Sequence, residues 1–200
     1  KAINFQTMET LAFSSNATIL ATGGLSRLFH RSTNPYTATG DGIALVWDAG
    51  VRLADMEFIQ FHPSALMVQG HEAFLLSEAI RGEGAWLLDQ NHNRFMVDLH
   101  PLAELAPRDV VASAIYNQMK KDGTNHVFLS LRHLDADYIK ARFSTIYNEV
   151  LKMGLNLTSD LIPIAPAAHY MVGGVRTGLN GETNLKGLWA CGEVASTGVM

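Results

Sequence analysis

Residues 16–24 read NATILATGG, a short apolar run from Thr18 to Ala21 that stops at paired glycines. Apolar residues with β-branched members, bounded by glycine, predict a strand, and the glycines let the backbone turn tightly beside a neighbour. The same order returns near the other end in GLWACGEVA, residues 187–195. Between these stretches the chain changes character. From about Met56 to Met171 it mixes strand and helix signals, so one domain interrupted by another is expected: the terminal stretches pair in space and the central α+β block folds as an insert.

Working outward, TGDGIALVWDAG (residues 39–50) has helical apolar spacing from about Asp41 to Ala49 and ends at Gly50. The next segment alternates: Met56, Phe58, Gln60 and His62 fall on one face, Glu57, Ile59 and Phe61 on the other. GAWLLDQNHNRFMVD (84–98) predicts two strands around a polar turn. One amphipathic helix is predicted after Pro107 and another across DADYIKARFSTIYNEVLKMG (135–154). LIPIAPAAHYMVGGV (161–175) is extended and punctuated by proline.

The helix after Pro107 carries an oddity. At about 100° per residue, Arg108, Val111, Ile115 and Met119 share a stripe that should be buried. A guanidinium therefore heads the apolar face, in a first turn where the helix dipole disfavours cations by about 0.3–1 kcal/mol.

With 48% hydrophobic residues the chain can build a core, and 15 basic against 19 acidic residues, without a Lys/Arg cluster, argue against a nucleic-acid surface. No run reaches membrane-spanning length and none has a signal-peptide layout. A single cysteine, Cys191, excludes an internal disulfide and reads as a small core residue. A cytoplasmic protein is expected. The chain opens on KAINF and stops at STGVM, just after a promising motif, so it reads as an internal fragment of something longer.

Several residues carry chemistry or merely structure. Asp41 between glycines is an N-cap or a cofactor ligand, and Glu193 poses the same choice. His62, pinned by Pro63, reads as structural; His169, flanked by small residues, has room for a ligand. Within LLSEAIRGEGAWLL (75–88), Arg81 and Glu83 read as an ion pair, while Ser77 and Glu78 place a hydroxyl and a carboxylate before the turn. No metal spacing occurs and no GxGxxG fingerprint. Two histidines, a serine and a buried-face arginine together suit a small substrate bearing carboxylates.

ATGG, TGDGIAL, EFIQFHPSAL, LLSEAIRGEGAWLL, RFM, ELAPRDVV, PAAHYMVGGV and GLWACGEVAS follow one another as in the succinate dehydrogenase/fumarate reductase flavoprotein family, which the chain resembles along its whole length. HPSAL, LAPRDVV and PAAHYMVGGV resemble the branch of that family that oxidises L-aspartate. The resemblance implies part of an FAD-binding α/β domain, residues 1–55 and 172–200, interrupted by an α+β capping domain, residues 56–171. It implies FAD as cofactor and L-aspartate oxidised to iminoaspartate, toward quinolinate and NAD, with oxygen or fumarate taking the electrons and quinolinate synthase as partner.

By position, the resemblance makes Asp41, Glu193 and the Gly23–Gly24 turn FAD-binding, and His62, Ser77, Glu78 and His169 substrate-binding. Arg108 matches the family's catalytic arginine, the proton donor or acceptor. Ser64 and Ser77 stand where threonine is usual, which keeps the hydroxyl and loses a methyl. The resemblance also places the phosphate-binding loop and a second substrate arginine outside these 200 residues, so the isolated segment is expected neither to hold FAD tightly nor to turn over. Two alternatives stand beside this reading: a succinate dehydrogenase or fumarate reductase subunit docking an iron–sulfur partner, and a non-catalytic capping fragment without flavin.

Overall fold

The computed structural model describes residues 1–199. In chain order the elements are β1 (Ala2–Ile3), β2 (Thr10–Leu11), β3 (Thr18–Leu20), α1 (Asp41–Asp48), β4 (Leu53–Ala54), β5 (Ile59–Leu66), β6 (Phe74–Leu75), α2 (Glu78–Gly82) and β7 (Trp86–Leu88). There follow α3 (Arg108–Asp122), β8 (Val127–Ser130), α4 (Ala136–Arg142), α5 (Ser144–Lys152), β9 (Ile162–Met171), β10 (Gly174–Arg176), β11 (Leu188–Ala190) and β12 (Ala195–Ser196). The mixture of helices with parallel and antiparallel strands is that of an α/β and α+β chain.

Two compact units emerge: residues 1–25, 40–58 and 171–199 form the first, and residues 26–39 and 59–170 the second. In the first, the two glycine-terminated strands pair as parallel neighbours, with Thr18 opposite Leu188 and Leu20 opposite Ala190. β10 pairs antiparallel with β4 and parallel with β12. Gly174, at φ 145°, has no room for a side chain because a Cβ would strike the Val194 carbonyl.

The second unit is built on a five-stranded sheet in the order β6-β5-β9-β8-β7. Its core joins strand residues Leu66, Leu87, Leu129, Ile162 and Ile164 to Val111, Ile115, Ile139 and Val150 of the helices. Burying each such side chain contributes about 1.5–3 kcal/mol. The α3 stripe holds as the spacing predicts: Val111, Ile115 and Met119 are buried, and Gly123 ends the helix in the left-handed conformation that glycine adopts without strain. Residues 26–39 belong to this unit because Ser32 bridges Ala168 of β9, Ala168 N–H donates to the Arg31 carbonyl, and Thr33 N–H donates to the Ala168 carbonyl.

Four local expectations are corrected. Residues 84–98 do not form a hairpin of two strands; β7 pairs antiparallel with β8, and the returning segment makes one bridge, Leu88 to Arg94, before turning into a short 3-10 helix at Met96–Asp98. Asp89 explains the return, since its carboxylate accepts the backbone N–H groups of Asn91 and Asn93 and closes the turn locally. Residues 135–154 form two helices, broken at Phe143 (φ −122°, ψ 40°), whose side chain is drawn into the core. The strand expected from Met56 begins at Ile59, and Cys191 is exposed, having left β11 for the Gly192 turn.

Candidate functional site

Five elements of the second unit bring polar side chains together. β5 supplies Gln60, His62 and Ser64 at alternate positions, α2 supplies Glu78 and Arg81, α3 supplies Arg108, β9 supplies His169, and the 26–39 segment supplies Thr33 and Asn34. Alternation on β5 leaves Phe61 partly exposed while His62 and Ser64 are buried.

Arg108 is the first residue of α3, after Pro107. Its Nε donates to Glu78 Oε2 at 2.7 Å and its Nη1 to Gln60 Oε1 at 3.1 Å, with Nη2 also 2.7 Å from Oε2. Glu78 Oε1 accepts from Arg81 Nη2 at 3.1 Å. One carboxylate thus lies between two guanidiniums. Burial would raise the Glu78 carboxyl, but the Arg108 hydrogen bond and charge, joined by Arg81 and His62, hold it below the usual carboxylate range. Arg81 is buried and also donates to the Glu104 carbonyl; burial lowers its guanidinium against the opposing pull of Glu78. The expected Arg81–Glu83 pair does not form: Glu83 meets Arg142 at 3.2 Å, because α2 turns Arg81 inward, three residues after Glu78 on one face.

The imidazoles of His62 and His169 lie edge to face, 5.3 Å between centroids. His62 Nδ1 accepts the Ser64 backbone N–H at 3.2 Å, so neutral His62 carries its proton on Nε2. Burial, then the positive charges of His169, Arg108 and Arg81, lowers the His62 pKa from 6.5 to about 4. His169 Nδ1 is 2.8 Å from Thr33 Oγ1, and Asn34 Nδ2 donates to the His169 carbonyl at 2.7 Å. Ser77 caps α2, its Oγ accepting from Ala79 N–H at 3.3 Å, and the buried Ser64 hydroxyl has no hydrogen-bond partner among the described residues.

The His62 shift has a pH consequence. A folded pKa below the unfolded one means that the unfolded chain takes up the proton first, so stability present above about pH 6.5 is lost as pH falls toward 4. His126, lowered by burial and Arg31, acts in the same direction, whereas Glu78 and Glu104 act only at more acid pH. We expect wild type to lose about 1–3 kcal/mol more than His62→Gln between neutral pH and about pH 4.5 in urea unfolding. Equal losses in the two proteins would assign the sensitivity elsewhere.

In the first unit, β3 and β11 run parallel and both lead into glycine turns. Ligands in α/β sheets lie beyond the carboxyl ends of such strands. Gly23 (φ 76°) and Gly192 (φ 74°) face open space. A Cβ on Gly24 would strike the Glu193 carboxylate, which accepts Met171 N–H at 2.8 Å. Asp41 is exposed as the first residue of α1, while the N-cap is Gly40 in the left-handed region, φ 80°. Side-chain-free backbone around open space, with a carboxylate at the rim, fits a dinucleotide approached by main chain and ribose hydroxyls held by an acid.

The sequence matches the FAD binding domain family over residues 2–200. The chain belongs to that family. Among curated relatives of this family, it is 50% identical to the L-aspartate oxidase of Synechocystis sp. over 97% of its length and 47% identical to that of Yersinia pestis over 94%. It spans about a third of those relatives, 35% in both cases. Among solved structures, a mutant E. coli quinol fumarate reductase FrdA superimposes with TM-score 0.83 and 35% identity, covering 92% of this chain and 34% of that one. Mycobacterium smegmatis Sdh1 gives TM-score 0.74 and 34% identity over 92% of this chain and 31% of that one. Among the described residues, no helix is long and apolar enough to cross a membrane, and no cluster of three metal-ligating side chains occurs.

Gln60, Thr33 and Asn34 were not singled out by sequence reasoning. Gln60 carried a signal, its position two residues before His62 on the same strand face; Thr33 and Asn34, in a polar loop, carried none.

Proposed function

We propose that this chain is part of an FAD-dependent oxidase that converts L-aspartate to iminoaspartate, the first unit contributing to the FAD-binding domain and the second serving as the capping domain over substrate. The observation that carries the reading is the pairing of Arg108 with Glu78 and Gln60 in a unit that also sets two imidazoles 5.3 Å apart. The identity of half or nearly half the residues to L-aspartate oxidases supports the choice of substrate.

Asp41, Glu193 and the Gly23–Gly24 turn would hold FAD, which when bound supplies a hydride acceptor. His62, with its proton on Nε2, and His169 would hold substrate carboxylates, with the Ser77 hydroxyl beside them. Glu78, both of whose oxygens engage arginines, acts on substrate by fixing Arg108. Oxidation removes a hydride from C2 and a proton from the amino group. A guanidinium already carries its proton and is a poor base. In this reading, Arg108 would take up the amino proton while passing another across the 2.7 Å Nε contact to Glu78, against the pull of the two arginines that keep Glu78 ionised. Oxygen or fumarate as final acceptor, delivery of iminoaspartate to quinolinate synthase toward NAD, and a cytoplasmic location belong to the same proposal.

The test is a substrate panel on the full-length protein. Aspartate-dependent peroxide formation is expected, with KM for aspartate raised about tenfold or more by His169→Ala as a charge-assisted contact is lost. Brisk succinate oxidation with no aspartate turnover would transfer the chain to the dehydrogenase or fumarate reductase branch. Failure to bind flavin at all would leave the non-catalytic alternative.

A further inference from the structure

The segment 26–39 reaches His169 by backbone and side chain together. Arg31 and Thr33 exchange main-chain hydrogen bonds with Ala168 (2.9 and 3.1 Å), Asn34 Nδ2 holds the His169 carbonyl at 2.7 Å, and Thr33 Oγ1 lies 2.8 Å from His169 Nδ1. This short ladder extends from Ser32, which bridges Ala168 in parallel. The backbone on either side of His169 is thus fixed before its side chain is considered, and the hydroxyl then fixes the ring.

We propose that Thr33 is a positioning residue for substrate binding: its hydroxyl engages Nδ1 of His169, sets the ring rotation, and makes Nε2 the nitrogen that meets a substrate carboxylate. This rests on the reading of His169 as a carboxylate ligand. The two histidines would then be oriented by one rule through different partners. His62 Nδ1 accepts the Ser64 backbone N–H, and His169 Nδ1 faces the Thr33 hydroxyl. When neutral His169 carries its proton on Nε2, the threonine hydroxyl donates to Nδ1, and both rings present an N–H donor. Without the hydroxyl, Nδ1 loses its hydrogen-bond partner in either tautomer. Ring rotation, likewise, is no longer locked.

A double-mutant cycle in the full-length protein tests this. Thr33→Val removes the hydroxyl at nearly constant shape, and Thr33→Ser restores it. We expect Thr33→Val to raise KM for L-aspartate about tenfold, equivalent to about 1.4 kcal/mol of lost hydrogen bonding. The flavin absorbance should be unchanged, kcat should fall less than KM rises, and Thr33→Ser should return to within about twofold. In a His169→Ala background, Thr33→Val should add no further increase, because Thr33 acts through the ring. A second readout is nitrogen NMR of ¹⁵N-histidine-labelled protein, where the His169 Nδ1 signal should shift in Thr33→Val as its hydrogen-bond partner is lost and return in Thr33→Ser. An equal KM increase from Thr33→Val in both backgrounds, or wild-type KM in Thr33→Val while His169→Ala is impaired, overturns the proposal alone. Wild-type KM in His169→Ala overturns the reading on which it rests.

Discussion

Arg108→Gln in the full-length protein is expected to lower turnover of L-aspartate by about 10²–10⁴-fold, the range for loss of a positioned proton-transfer group. The side chain is fixed from two sides: Glu78 binds Nε and Nη2, and Gln60 accepts from Nη1. It is about one-third exposed, which leaves part of the guanidinium for a ligand. Glutamine keeps a polar group of similar reach but removes the charge, the fork and any exchangeable proton of the right acidity. Arg108→Lys separates charge from geometry. An ammonium is a point donor and cannot hold Glu78 and Gln60 in the same planar arrangement, so a loss close to that of glutamine is expected. Stopped-flow reduction of the bound flavin by aspartate isolates the step from reoxidation. A reduction rate within a few-fold of wild type would remove Arg108 from the chemistry and leave it a structural partner of Glu78. Restoration of most of the rate by lysine would mean that charge, and not proton exchange, is what the position supplies.

The misplacement of Arg108 in the sequence pattern was the most informative signal available. Val111, Ile115 and Met119 report a buried stripe through helical periodicity alone, and an arginine at its head asks for a partner. The sequence could not supply that partner, because Gln60 and Glu78 lie 48 and 30 residues away and meet Arg108 only through the sheet. The paired strands at the two ends were readable for a similar reason. Apolar runs closed by glycine are local features, whereas parallel pairing of Thr18–Leu20 with Leu188–Ala190 is not. Where local chemistry overrode periodicity, the sequence reading failed. Asp89 closed a turn with its own carboxylate and ended the expected hairpin, and Phe143 broke a continuous amphipathic pattern by turning into the core. Residues 26–39 show the limit most plainly, since a polar loop has no periodicity to say that it adds to β9.

Glu104→Ala is expected to destabilise the protein by about 1–3 kcal/mol, the cost of leaving the buried Leu87 N–H without its acceptor, while Arg94, about one-third exposed, turns to solvent. Glu104 is 3% exposed. Its Oε1 accepts from Leu87 N–H at 3.1 Å and from Arg94 Nε at 2.9 Å, and its Oε2 accepts from Arg94 Nη2 at 2.6 Å. Burial would raise this carboxyl, but Arg94 and the backbone N–H groups hold it below the usual range. The sign follows: the contribution is complete above the unfolded carboxyl pKa and disappears as acid protonates the folded group. Alanine leaves the Leu87 N–H buried without its acceptor and opens a void at the start of β7; Glu104→Gln keeps an acceptor and should lose about half as much. Glu149→Ala is the control, because its pair with Lys152 is solvent-exposed on the lysine side and worth under about 1 kcal/mol. Urea unfolding at neutral pH ranks the three. Equal losses for Glu104→Ala and Glu149→Ala would show that the buried network adds nothing beyond a surface pair. The backbone carbonyl of Glu104, which receives Arg81, survives each substitution. Glu104→Ala should therefore keep kcat within a few-fold wherever it remains folded, while Arg108→Gln keeps its stability and loses turnover, so that the two variants separate what holds this unit together from what it holds in place.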